Sequence, residues 1–143
     1  VPRGTYQCSD DKWVGLSASS DTVAARVLGV LGVADDARFK TFSARMEHRE
    51  ELELVMSDWC RRHSQAEVLA TFGAAEAAIG PVMDMADISA DPHYAARDAI
   101  VDVEGTPMQG LLAKLSATPG ALRWQGRGLD ADGDEIRKAG WLP

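Results

Sequence analysis

The chain has 143 residues, of which 45% are hydrophobic, so it is long enough for one ordinary domain that buries about two-thirds of its unfolded surface. Its 15 basic and 22 acidic residues give a net charge of −7, which disfavours nucleic acid and anionic membrane surfaces as partners. No apolar run approaches the ~20 residues that span a bilayer and no signal-like segment opens the chain, so we expect a soluble, cytoplasmic protein.

Two cysteines, Cys8 and Cys60, are present and are far apart in the sequence. A disulfide framework or a zinc site needs about four clustered Cys or His ligands. We therefore expect both thiols to be reduced and no metal to be bound. Cys60 also falls on the apolar face of a predicted helix, where a buried thiol is expected.

The chain opens with two predicted strands, residues 5–9 and 13–18, joined by an Asp10-Asp11-Lys12 turn. Apolar residues alternate along the second strand from Val14 to Ala18, which is typical of a strand with one buried side. These segments therefore predict an antiparallel hairpin that packs one face against a core.

Three helices are predicted next. Ser19 and Ser20 are candidate N-caps for a helix over residues 21–31, which ends at Gly32. Apolar side chains recur at helical spacing over residues 48–63, and Trp59 lies on that stripe, so we expect it to be buried. Ser64-Gln65-Ala66-Glu67 has the capping-box pattern, which begins another helix after a sharp turn near His63.

The C-terminal half is predicted to contain shorter elements separated by glycine and proline. Their order is a strand or extended segment within 74–82, a helical turn near 84–88, a turn opened by Asp91-Pro92, a hairpin of strands 100–104 and 108–112 around Gly105-Thr106-Pro107, and a terminal helix over 132–139. Trp124 and Trp141 near the C-terminus are candidates for exposed aromatics, although an aromatic residue in an irregular tail more often packs on its own domain. Together these elements predict the α+β class, with short antiparallel hairpins packed with several helices.

The sequence contains few motifs that are typical of metal binding, nucleophilic catalysis or phosphate binding. Asp130-Ala131-Asp132-Gly133-Asp134 has the alternating acids of a calcium loop, but the positions that require Gly and a bidentate Glu hold Glu135 and Trp141. We expect these acids to stabilise the positive end of the terminal helix instead. No G-x-S-x-G motif and no glycine-rich phosphate loop occurs in the sequence.

The three histidines are predicted to be structural. His48 and His63 lie near the two ends of one predicted helix, and His93 lies in the turn that Asp91 opens. A Ser/His/Asp set would need one of them next to an exposed serine on a strained turn. We therefore assign no catalytic residue to this chain.

Three segments, read together, carry a family resemblance: Gly80-Pro81-Val82, Asp91-Pro92-His93-Tyr94-Ala95-Ala96-Arg97 and Thr118-Pro119-Gly120. In that order and spacing they resemble the CaiB/BaiF family, also called the class III CoA-transferases. Weaker similarities, Arg45 among them, extend the resemblance over nearly the whole chain. The sequence departs from the family pattern at residues 125–129, where relatives usually have a Pro-x-Leu-Gly segment.

The resemblance implies that this chain is a C-terminal fragment of a longer enzyme. Residues 1–115 would form the family's small α+β domain, and residues 116–143 a return segment and terminal helix towards a large domain that is absent. It also implies covalent catalysis, in which an Asp upstream of Val1 attacks an acyl-CoA thioester. Coenzyme A would be a substrate rather than a tightly bound cofactor, a carboxylic acid would be the second substrate, and two full-length subunits would interlock as a homodimer.

One segment stands out as a candidate site. Ser17-Ala18-Ser19-Ser20-Asp21 leaves a strand and leads into a helix N-terminus, where backbone N–H groups can receive an anion or a carbonyl oxygen. The purely structural interpretation of this segment is an ordinary capped turn. The resemblance implies that the equivalent loop in relatives faces the active-site cleft, so we predict that Ser17, Ala18, Ser19, Ser20 and Asp21 contribute to substrate binding.

Two alternatives to a transferase remain open at this point. Racemases of the same family place a Glu-Pro pair in this loop, where the carboxylate holds a catalytic His, whereas this chain has Ser20 and Asp21 there. The loop is closer to the small-residue pattern of the transferases, although Asp21 could partly replace the missing carboxylate. The second alternative is a dimerisation module with no chemistry of its own.

Overall fold

The computed structural model describes residues 1–140 and has a mixed α+β fold, as the sequence predicts. The described elements in chain order are β1 Arg3–Gln7, β2 Trp13–Ser17, α1 Asp21–Leu31, α2 Phe42–Glu47, α3 Arg49–Arg61, α4 Gln65–Ala74, β3 Ile79–Val82, α5 Met85–Ala90, α6 Pro92–Ala96, β4 Ile100–Val103, β5 Thr106–Gln109 and α7 Gly133–Ala139. The chain divides into a first unit, Val1–Asp84, and a second unit that begins at Met85.

The first unit is built on a three-stranded antiparallel sheet in the order β1-β2-β3. The predicted hairpin is confirmed, with Tyr6 opposite Val14 and Thr5 opposite Gly15. Tyr6 and Val14 are both buried, so this pair brings one face of the hairpin into the core. The extended segment predicted around Gly80 is strand β3, whose Gly80 pairs with Gly15.

Helix α1 has the bounds that its capping residues predict. The Ser20 hydroxyl accepts a hydrogen bond from the Val23 backbone N–H at 3.3 Å, which satisfies one of the free donors of the first turn. Gly32 ends the helix with φ 72°, a left-handed conformation that glycine adopts without a steric penalty.

The apolar stripe of helix α3 faces the core, but Trp59 is only half-buried, so the prediction of a buried Trp59 is wrong. The innermost positions of the stripe are Leu52, Met56 and Cys60. Trp59 lies at its edge, where it stacks on His63 with ring centroids 3.8 Å apart. Trp59 also makes an edge-to-face ring contact with Phe72.

The turn between α3 and α4 is as predicted. Ser64 and Glu67 form the reciprocal capping box, in which the Glu67 carboxylate accepts the Ser64 backbone N–H at 2.8 Å. Helix α2 was not predicted; it follows the N-cap Thr41 and ends at Glu47, and the non-helical backbone of His48 separates it from α3. Six residues without an apolar stripe give no periodic signal.

The core of the first unit consists of two groups of buried side chains. The larger lies between the sheet and the helices, and its fully buried members are Val14, Ala24, Val27, Met56, Cys60, Val68 and Phe72. A smaller group contains Leu28, Phe39 and Leu52. Close packing of this kind explains how the sheet and three amphipathic helices form one body.

The second unit contains the β4–β5 hairpin and short helices. Asp91 caps α6 through its side chain, as predicted, accepting the His93 N–H at 2.8 Å. The predicted strand 108–112 is misplaced, because the turn is made by Glu104 and Gly105, whose φ angles are 54° and 82°. Positive φ at both residues is the type I′ hairpin turn, so Thr106 pairs with Val103 and β5 begins two residues earlier.

The predicted terminal helix is present as α7. Trp124 is exposed rather than packed on its own domain, whereas Trp141 lies outside the described residues. Buried residues are scarce in the second unit, where Ala99 and Gly110 are the ones found among the described residues. Across residues 1–140, no helix is long and apolar enough to cross a bilayer.

Candidate functional site

The predicted loop, residues 17–21, connects the end of β2 to the start of α1. Its first residues are fixed by main-chain hydrogen bonds, since the Ser17 N–H donates to the Ala78 carbonyl at 3.0 Å and the Ala18 N–H to the Pro2 carbonyl at 3.1 Å. Ala18 is buried. The start of the loop is therefore held by the chain before β1 and the chain before β3.

Ser19, Ser20 and Asp21 are exposed, so these residues form the accessible part of the loop. The Ser20 hydroxyl is used as the helix cap. The loop leads directly into the 11-residue helix α1, so it lies at the positive end of the α1 dipole. This geometry suits binding of a carbonyl oxygen or a carboxylate better than nucleophilic attack by a serine.

Asp21 is held by an arginine that the sequence analysis did not select as a site residue. Arg45 of α2 is 3% exposed, and its Nη2 donates to Asp21 Oδ1 at 2.5 Å. Its Nε donates to the Val1 carbonyl and its Nη1 to the Phe39 carbonyl, each at 3.2 Å. Arg45 was noticed only through the family resemblance, because a contact between residues 24 apart leaves no local pattern.

The histidines are engaged away from this loop. His48 Nδ1 lies 2.6 Å from the Glu51 carboxylate, and His63 Nδ1 lies 2.7 Å from the Trp59 carbonyl. His93 is exposed, its backbone N–H donates to the capping Asp91 carboxylate, and its ring makes an edge contact with the ring of Tyr94, with centroids 6.0 Å apart. The histidine contacts therefore provide no general base for the serines of the loop.

A second polar feature lies at the edge of the β1–β2 hairpin. The buried Tyr6 hydroxyl donates to Glu53 Oε2, and burial together with the adjacent carboxylate raises the pKa of Tyr6. The other carboxylate oxygen, Glu53 Oε1, is buried without a hydrogen-bond partner. An open groove of about 630 Å³ runs past this pair and is lined by Thr5, Tyr6, Arg49, Glu50, Glu53, Leu54 and Ser57.

The second unit has a groove of about 420 Å³ of its own. Strand β4 lies on one side of it, and Pro119 and Gly120 of the Thr-Pro-Gly segment lie on the other. Lys114 Nζ lies 2.7 Å from Asp98 Oδ2 at its rim, and this hydrogen bond holds the pKa of Asp98 below its usual range. The remaining lining is largely apolar, so the groove resembles an uncovered packing surface more than a polar binding site.

The acidic segment around Asp130 is occupied by arginines. Arg137 lies 2.8 Å from Asp130 and 2.9 Å from Asp134, and Arg127 pairs with Asp132. Within residues 1–140, no group of three or more His, Cys, Asp or Glu side chains is arranged to hold a metal ion.

The model of the family described as CoA-transferase family III matches residues 1–132. The succinyl-CoA–D-citramalate CoA-transferase of Chloroflexus aurantiacus is 29% identical over 95% of this chain and 36% of its own length. The beta subunit of the succinyl-CoA–L-malate CoA-transferase of the same organism is 30% identical over 96% of the chain and 36% of its own length.

The fold is similar to that of a solved structure. The crystal structure of a CaiB/BaiF family protein from Brucella suis superimposes with a TM-score of 0.75 and 26% identity, over 96% of this chain and 37% of that protein. The chain thus spans about a third of the length of the relatives that it matches. A match over residues 1–132 covers almost the whole sequence, and the chain therefore belongs to CoA-transferase family III.

Proposed function

We propose that this chain is part of an acyl-CoA:carboxylate CoA-transferase, to which it contributes the small domain, residues 1–115, and a return segment, residues 116–143. The observation that carries the proposal is the family match over residues 1–132, together with relatives named as CoA-transferases for succinyl-CoA and hydroxy acids. Coenzyme A is then a substrate, delivered as a thioester, and the second substrate is a free carboxylic acid. We place the enzyme in the cytoplasm.

The covalent chemistry belongs to residues outside this chain. An aspartate carboxylate attacks the acyl-CoA carbonyl and the CoA thiolate leaves, giving an acyl-aspartyl anhydride. The thiolate then attacks the aspartyl carbonyl of the anhydride, which releases the first acid and leaves an aspartyl-CoA thioester. The acceptor carboxylate attacks this thioester to form a second anhydride, and the returning thiolate completes the new acyl-CoA.

This chain contributes the loop of residues 17–21 to that reaction. Ser19 and Ser20 are exposed at the N-terminus of α1, where N–H groups and the helix dipole favour the oxygen of a thioester or a carboxylate. Each step places negative charge on a carbonyl oxygen, so donors fixed in advance near that oxygen lower the barrier.

The apolar surface of the second unit supports the return-segment assignment. Leucines 111, 112, 115, 122 and 129 are all exposed, together with Trp124. Monomeric proteins rarely leave so many large apolar side chains in contact with water. We propose that the rest of the polypeptide covers this surface and that two complete subunits interlock as a homodimer.

The racemase alternative is weakened by the Arg45–Asp21 pair. A racemase of this type needs a carboxylate in this loop that is free to hold a catalytic histidine. The Asp21 carboxylate is already bound by Arg45 at 2.5 Å. The alternative predicts epimerisation of a single-enantiomer 2-methylacyl-CoA with deuterium uptake in deuterated water, whereas our proposal predicts neither.

The transferase proposal is tested with the complete polypeptide that contains this chain. Succinyl-CoA is mixed with isotopically labelled carboxylic acids of the malate and citramalate type, and new acyl-CoA esters are measured by mass spectrometry. We expect the labelled acids to be converted into labelled acyl-CoA esters at the expense of succinyl-CoA. Hydrolysis without transfer would contradict the proposal. The isolated 143-residue chain is the control, and exchange catalysed by it would contradict the assignment of the nucleophile to residues outside it.

A further inference from the structure

Arg45 is a charged side chain enclosed by protein, which requires an explanation. Its side chain is 4% exposed, and taking a guanidinium out of water costs several kcal/mol unless its donors and its charge are satisfied. Two backbone carbonyls, those of Val1 and Phe39, accept hydrogen bonds from it, but a neutral carbonyl does not balance a full charge. The Asp21 carboxylate at 2.5 Å supplies the opposite charge.

The two partners of this ion pair differ in exposure. The Arg45 side chain is enclosed, whereas the Asp21 side chain is 79% exposed and lies on the accessible loop. Arginine presents its donors in a rigid planar fork, and here the carbonyl acceptors of Val1 and Phe39 fix the plane of that fork. Asp21 is therefore the movable member, and Arg45 determines where its carboxylate lies.

Fixing Asp21 also fixes the residues that precede it. Ser17 and Ala18 are held at the other end of the loop by Ala78 and Pro2. Only Ser19 and Ser20 lie between the two fixed ends, so their backbone has little freedom once Arg45 binds Asp21. Arg45 also binds the carbonyl of Val1, and Val1 directly precedes Pro2, whose carbonyl accepts the Ala18 N–H.

We propose that Arg45 is a positioning residue, which acts through Asp21 to hold Ser19 and Ser20 in the orientation that the reacting thioester or carboxylate requires. This inference rests on the proposed function. Arg45 itself touches no substrate. Its effect is to arrange the loop before substrate binds, which matters because misplacing a reacting group by about 1 Å costs on the order of 100-fold in rate.

The test compares two variants of the complete polypeptide, Asp21→Ala and Glu76→Ala. Glu76 is a matched control, because its side chain is 74% exposed and pairs at 2.8 Å with Arg26, which lies in α1 as Asp21 does. We expect Asp21→Ala to lower kcat by about tenfold or more with a much smaller change in KM, because ordering of the loop is lost rather than substrate contacts. Glu76→Ala is expected to keep the wild-type kcat.

Conservative variants separate positioning from general destabilisation. Asp21→Asn keeps an oxygen that can accept from Arg45 and is expected to recover part of the lost kcat, while Asp21→Ala does not. Asp21→Ala is expected to lower the melting temperature more than Glu76→Ala, because it leaves the enclosed Arg45 charge without its counter-ion, so kcat is compared at a temperature at which both variants are fully folded. Equal kcat values for Asp21→Ala and Glu76→Ala, or no recovery in Asp21→Asn, would overturn the inference.

Amide hydrogen exchange separates a failure of this inference from a failure of the proposed function. We expect Asp21→Ala, but not Glu76→Ala, to increase exchange at residues 19–22. A wild-type polypeptide that transfers no CoA would overturn the proposed function, and exchange would still decide whether Arg45 orders the loop. Unchanged exchange in Asp21→Ala would overturn the positioning role.

Discussion

The two units of this chain differ in how their apolar residues are used. Of the buried hydrophobic residues in the described part of the chain, all but Ala99 belong to the first unit. The second unit instead exposes leucines over residues 111–129, although its hairpin and helix caps are well formed. Good local geometry is therefore present in both units, but only the first has a core that can stabilise it.

This difference indicates which part of the chain is a self-sufficient folding unit. Short helices and a two-stranded hairpin are marginal in water without burial of an apolar face. The second unit has both of these elements and little burial. We expect its structure to depend on protein outside this chain. The relatives are consistent with this expectation, because the chain spans only about a third of their length.

The largest expected effect comes from separating the units. Residues 1–84 are expected to give a cooperative thermal melt with a near-UV circular dichroism signal, because they retain the sheet, the helices and the core. Residues 85–143 alone are expected to give neither. A cooperative melt of the isolated second unit would break the comparison, and so would a noncooperative first unit.

A matched pair of aromatic truncations tests the same contrast within the intact chain. Phe72 is fully buried in the first unit and Trp124 is exposed in the second. We expect Phe72→Ala to lower the free energy of unfolding by about 3 to 5 kcal/mol and Trp124→Ala to change it by less than about 0.5 kcal/mol. Urea denaturation followed by far-UV circular dichroism measures both, and similar losses would contradict the proposed distribution of the core.

Alkaline pH is expected to weaken the first unit through its thiols. Burial raises the pKa of Cys60 from 9.0 to about 12 and raises that of Cys8 as well. The unfolded chain loses these protons first, so it binds fewer protons than the folded chain, and the free energy of unfolding falls from about pH 9, where the unfolded thiols titrate, towards about pH 12, where folded Cys60 titrates. A Cys8→Ala, Cys60→Ala double variant is expected to show a flatter pH dependence of stability in that range, and an unchanged slope would refute the thiol explanation.

The smallest expected effect compares two helix caps. Ser64→Ala removes the capping box of α4 and is expected to lower the free energy of the cooperative unfolding transition by about 1 kcal/mol. Asp91→Ala removes a side-chain cap of the same kind from α6 in the second unit. It is expected to leave that transition unchanged. Chemical denaturation of both variants measures the difference, which sharpens the assignment of the transition to the first unit.

Elements with strong local signals could be predicted from the sequence. Helix α1 has the predicted range because Ser20 and Gly32 cap it, and α4 begins at the predicted capping box. Helix α2 could not be predicted, since its six residues bury an arginine rather than an apolar stripe. The second hairpin was misplaced because Glu104 adopts a positive φ that its residue type does not suggest.

The candidate site was predictable only in part. A loop of small polar residues ahead of a helix is visible in the sequence, and the family resemblance drew attention to it. The contacts that hold this loop join residues far apart in the chain, such as Arg45 with Asp21 and Ala18 with Pro2. Such contacts depend on how the elements pack, and no local propensity encodes them.

The contacts of Arg45 also affect how the sequence can drift during evolution. At positions 1 and 39 the arginine binds main-chain oxygens, which every amino acid provides, so substitutions there leave its hydrogen bonds available. At position 21 it binds a side chain, so loss of Asp21 leaves a buried charge without a counter-ion. Substitutions at positions 21 and 45 are therefore expected to occur together in related sequences, whereas those at positions 1 and 39 vary independently of Arg45.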